Sequence, residues 1–147
     1  MRKSTDDLFK GLGKKCEITD YISSNSSSFV YHSIHELWEQ ACEKSGLSKT
    51  NIINKADFNY CYFYDVINGR KIPSKDKIIR LALTMHMSLD DCQQILRLSD
   101  KPLLYPRVKR DSIIIYSLNN NLSFYECNEL LSKFDEEVLK WPKTIMT

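Results

Sequence analysis

Apolar residues in this chain recur at intervals of three and four rather than two. That spacing belongs to helices with one buried stripe and argues against strands. Helix starts are marked at close intervals. Ser33-Ile34-His35-Glu36, Ser88-Leu89-Asp90-Asp91 and Ser123-Phe124-Tyr125-Glu126 each place a hydroxyl before an acid three residues on. The hydroxyl accepts from an orphan N–H, and the acid sits on the positive end of the helix dipole. Ser48 and Ser74 offer caps without the acid, and Pro106 suits a first turn. Stops fall at Gly46, Gly69 and Asn119-Asn120-Asn121. The expected helices cover 33–45, 48–56, 60–68, 74–86, 88–99, 107–120 and 123–134, with one or two short ones in 4–24. The fold class is therefore all-α.

At 147 residues, one core or one core with an appendage is expected. The chain divides into an N-terminal helical arm and Ser-rich linker at 1–28, a helical domain at 29–100, and a helical hairpin with tail at 101–147. The linker signal is Ser23-Ser24-Asn25-Ser26-Ser27-Ser28. The hairpin is expected to pack on the same core, and the tail after Glu137 to be loose apart from Trp141. An internal repeat links the last two segments. Asp76, Leu83, Met87-Ser88, Cys92 and Asp100 match Asp111, Leu118, Leu122-Ser123, Cys127 and Asp135, all at an offset of 35. Each unit is a helix, a Ser-capped turn and a second helix. Neither buries its stripe alone, so the two should stack. Two hairpins converging on one pattern is the plainer alternative.

No apolar run reaches 18 residues, so no transmembrane helix is expected. The charged N-terminus lacks an apolar leader core, and the expected compartment is the cytoplasm. Five cysteines, at 16, 42, 61, 92 and 127, make no C-x-x-C pair and read as reduced fillers. His32 and His35 share a face with Glu36 and Glu39 but lack further ligands at metal spacing, so no metal and no cofactor is expected. Gly-rich phosphate loops, HExxH and GxSxG are all missing, and an enzyme is not expected.

Net charge is only +2, but it is unevenly spread. Residues 44–80 carry eight Lys/Arg against three Asp, and 101–111 carry four against one. Residues 29–43 and 122–140 are each net −3. Within the basic middle, two short helices meet across Asp57-Phe58-Asn59, with Ile52, Ala56, Phe63, Val66 and Ile67 facing a common side. The second stops at Asn68-Gly69, and Pro73-Ser74 follow. From Leu47 to about Asp90 this pattern resembles the Xre/λ-repressor-type helix-turn-helix family.

The resemblance implies a λ-repressor-like bundle with an added C-terminal hairpin, acting as a sequence-specific transcriptional regulator. Its partner would be double-stranded DNA at a palindromic operator, bound by a homodimer. Lys49 and Thr50 would meet phosphate from the first helix start. Asn59 would cap the recognition helix, and Tyr60, Cys61 and Tyr64 would face the groove. Asn68, Arg70, Lys71 and Lys75 would clamp the backbone. Neutralising about four phosphates implies a log–log salt slope near −3.6. The family usually reads bases with Gln, Ser, Thr, Arg or Asn, whereas tyrosines and Asp65 occupy this helix. Three readings of the tyrosines stay open: groove contact, burial against 105–120, and a protein partner docked on the Tyr60–Tyr64 helix. The last makes the chain a helical adaptor that keeps the skeleton without reading DNA.

Overall fold

In the computed structural model, residues 4–12, 17–24 and 33–139 are described. Among them there are nine helices and no strands. The chain forms two compact units, 1–32 and 33–147. The first holds α1 (Thr5–Gly11) and α2 (Ile18–Ser24), neither of which buries a residue. Ser23 and Ser24, read from sequence as the start of the linker, are the last residues of α2. The rest of that linker, together with Cys16, His32 and Trp141, lies outside the described residues.

The second unit holds α3 (Ile34–Ser45), α4 (Lys49–Ala56), α5 (Tyr60–Ile67), α6 (Lys75–Thr84), α7 (Leu89–Leu98), α8 (Lys109–Asn119) and α9 (Phe124–Lys133). Ser33, Ser48, Asn59, Ser74, Ser88 and Ser123 each cap a helix by accepting a backbone N–H. At Ser123 the box is reciprocal, because Glu126 also accepts the Ser123 N–H at 3.0 Å. The helix expected from 107 starts at Lys109 instead. Pro106 lies in the preceding turn, where its carbonyl accepts from Ser112 Oγ at 2.6 Å.

Four of the turns share one construction: a left-handed residue, an apolar residue, then the next cap. They are Gly46-Leu47-Ser48, Asp57-Phe58-Asn59, His86-Met87-Ser88 and Asn121-Leu122-Ser123. In the last three the apolar residue's N–H reaches back five residues, to Ile53, Ala82 and Ser117 carbonyls. This is the helix-closing arrangement that satisfies orphan carbonyls and tucks an apolar side chain under the helix end.

The 35-residue offset holds in three dimensions. α7 and α9 begin and end in register, and the left-handed residues His86 and Asp100 match Asn121 and Asp135. Gln93 clamps both backbone groups of Leu104, at 2.9 Å each. Asn128, 35 residues on, clamps both groups of Leu139, at 2.8 and 3.3 Å. Lys75 donates to Leu103 O, and Arg110 donates to Val138 O. The charges cross between the repeats: Lys75 lies 3.8 Å from Asp111, and Arg110 lies 3.2 Å from Asp76. The two hairpins pack together, α6 against α8 and α9 and α7 against α8. One core joins them to α3–α5, from Trp38 and Ile52 through Phe63, Ile79 and Leu96 to Ile114 and Leu131. The tail is held further than the sequence suggests, since Leu139 is fully buried.

Candidate functional site on the outer face of α5

Inward and outward faces of α5 separate cleanly. Phe63, Val66 and Ile67 are fully buried, while Tyr60 is 61% exposed and Cys61 is exposed beside it. α5 packs mainly on α3. Tyr62 and Tyr64 are half-buried. Tyr60 and Tyr64, one turn apart, bring their rings to 4.8 Å between centroids. Burial first, and then the hydrogen bond its hydroxyl donates to Tyr60, raise the Tyr64 hydroxyl above its ordinary value. Tyr62 turns to the flank. Its ring lies 6.0 Å from Phe58, with the ammonium groups of Lys77 and Lys71 at 4.5 and 5.5 Å. Lys77 was not among the residues singled out by sequence. It reaches Tyr62 from α6, across the loop that follows α5.

The remaining candidates sit in different surroundings. Thr50 is exposed at the start of α4. Lys49 is half-buried, 5.8 Å from the Tyr64 ring centre and 2.8 Å from the Glu39 carboxylate. That hydrogen bond holds Lys49 above its ordinary value. Asn59 spends its side-chain oxygen on the Tyr62 N–H. Asn68 is exposed and closes α5. Arg70 and Lys71 flank one carboxylate, Asp65, at 3.7 and 3.4 Å. Lys75 is the exception. Expected at a phosphate-facing helix start, it points instead to Leu103 O and Asp111, because the second repeat packs there.

The basic surface is thus smaller than the sequence sum. Arg80 is 4% exposed, with its guanidinium 4.5 Å from the Phe58 ring centre and 5.5 Å from that of Phe124. Burial lowers its pKa, and its charge acts inside the core rather than on a ligand. Lys44 pairs with Asp91 at 3.3 Å.

Cys61 is the one exposed thiol among the described cysteines. Burial pushes Cys42 up to about 11 and Cys92 up to about 12, and raises Cys127 as well. Since the thiolate is the reactive form, iodoacetamide at about pH 8 should label Cys61 and spare those three. Peptide mass mapping checks this. Labelling of Cys92 as fast as Cys61 would show that the α6–α7 core opens readily. Among the described residues no three His, Cys, Asp or Glu side chains converge as metal ligands. His35 uses Nδ1–H on Ile67 O, at 2.8 Å. No described helix is long and apolar enough to cross a membrane.

The chain matches no protein-family model, no curated protein and no solved structure.

Proposed function

We propose that α4 and α5 form a λ-repressor-type helix-turn-helix, and that the protein is a sequence-specific DNA-binding transcriptional regulator acting as a homodimer on a palindromic operator. The observation that carries this reading is the layout of one face. Tyr60 and Cys61 are exposed at the start of α5, Lys49 at the start of α4 lies 5.8 Å from the ring of Tyr64, which pairs with Tyr60, and Arg70 and Lys71 follow just beyond the end of α5. Side chains that reach base edges belong at the start of the second helix, and cations belong on its flanks. Tyr60 and Tyr64 offer ring edges to thymine methyls and hydroxyls to phosphates.

The electrostatic share is small. Lys49 is tied to Glu39, Arg70 and Lys71 share Asp65, and Lys75 is turned away. About two phosphates are then neutralised, giving a log–log salt slope near −1.8 rather than −3.6. A duplex selected from a random pool, titrated by anisotropy between ~50 and ~300 mM salt, measures it. No binding at ~50 mM rejects the reading. Arg70→Ala should weaken all duplexes alike, while Tyr64→Ala should change the preference among them.

A second reading, a helical adaptor that binds protein through Tyr60 and Tyr64, is favoured by the same neutralised cations and the paired aromatic rings. Truncating either tyrosine would then weaken partner binding by about 2 kcal/mol. A selected DNA site that survives both substitutions unchanged would show that these rings read nothing.

A further inference from the structure

Arg80 is the most deeply buried charged side chain among the described residues. It stands in the middle of α6, and its guanidinium lies between two rings from other elements. One is Phe58, in the turn that joins α4 to α5. The other is Phe124, the first residue of α9. Each ring continues into a further contact. Phe58 meets Tyr62 and Phe63 of α5, at 6.0 and 6.4 Å between centroids. Phe124 stacks on Tyr125 at 5.1 Å. Burial is the largest influence on the Arg80 pKa and lowers it; of the charges that oppose this, Asp57 in the same α4–α5 turn acts most. A line of contacts therefore runs from the second repeat, through one cation, into the turn that starts α5.

The helix itself does not require a charge at this place. Thirty-five residues on, the same place in α8 is Ile115. Burying an ion is costly unless fixed partners stand in for its water. At Arg80 the two rings supply part of that replacement, because an aromatic face attracts a cation and a planar guanidinium stacks on it. A lysine ammonium lacks the plane and holds its water more strongly.

We propose that Arg80 is a positioning residue, whose charge fixes the α4–α5 turn, and with it the start of α5, to the second repeat. Phe58, the cap Asn59 and Tyr60 are consecutive, so the first turn of α5 follows wherever the Phe58 ring is held. The second repeat thereby gains a bearing on α5, a helix that packs mainly on α3. The value of this to a ligand rests on the reading of α5 as the contact helix. The positioning itself is measured on the protein alone, so the two can fail separately.

The test is amide NMR and amide exchange on the full chain with Phe124→Leu, Arg80→Met and Arg80→Lys. Phe124→Leu, made in the second repeat, should shift the amides of Phe58–Tyr62. In the Arg80→Met background, where an apolar stem remains and the charge is gone, the same substitution should leave those amides in place. Exchange at the Phe58 N–H, bonded to Ile53 O at 3.0 Å, should quicken about tenfold in Arg80→Met, the loss of one buried cation–ring contact. It should quicken more there than at Ile95 and Leu96 of α7, because the loosening is local to the turn. Arg80→Lys keeps the charge without the plane and should restore part of the protection. Should Arg80→Met fail to fold, Phe124→Leu alone and in the Arg80→Lys background decides, the shifts being smaller in the latter. Shifts from Phe124→Leu that stop at α9, shifts at Phe58–Tyr62 that persist undiminished without the guanidinium, or equal quickening at Phe58 and in α7 would each overturn the proposal.

Discussion

Phe63→Ala is expected to destabilise the protein by about 3–5 kcal/mol, the cost of removing a fully buried ring from a packed core. Phe63 sits on the inward face of α5 and meets Phe58 and Tyr64 edge-on, at 6.4 and 5.5 Å between centroids. Loss of the ring leaves a cavity under α5 that neighbours fill only in part. Against a total stability of about 5–15 kcal/mol this is a large fraction. Three residues earlier, Tyr60→Ala should cost under about 1 kcal/mol, because that ring is mostly in water. Urea melts of both variants decide it. Equal losses would mean that α5 is rotated, and the assignment of Tyr60, Cys61 and Tyr64 to the outer face would fall with it.

Asn128→Ala should cost about 2–3 kcal/mol through a different mechanism, the orphaning of buried backbone groups. The Asn128 amide accepts the Leu139 N–H and donates to the Leu139 carbonyl, and Leu139 is fully buried. Without the amide both groups lose their partner inside the protein. Asn128→Asp keeps the acceptor and loses the donor, so its loss should be intermediate. Amide exchange at Leu139 should quicken in both variants. A loss below about 0.5 kcal/mol for Asn128→Ala would show that residues 136–139 contribute little to the fold. Gln93→Ala is the matched experiment in the first repeat, where Leu104 loses the same two bonds.

Much of this architecture is legible in local patterns. Caps at Ser48, Asn59 and Ser123 act over three residues, and the stripe through Phe63 and Ile67 needs only the helical period. The repeat at offset 35 is legible for the same reason, since each unit reuses the same local signals. A further local signal lies in the turns: Asp57, His86 and Asn121 each precede an apolar residue and a cap. Read together, they mark the left-handed turns and end α6 before His86.

The candidate site was less legible, because its electrostatics join residues from different elements. Lys49 meets Glu39 from α3, Lys77 reaches Tyr62 across a loop, and Lys75 turns to Asp111 in the other repeat. Asn128 finds Leu139 eleven residues away because the chain doubles back along α9. By itself the sequence determined the helices of the second unit, most of their ends to within two residues, their buried faces and the duplication, since periodicity and capping act within a turn or two of the backbone. Only the tertiary structure decided which cations stay at the surface and which are neutralised. A side chain's partner at ten or more residues' distance depends on how helices cross, and no local pattern encodes that crossing.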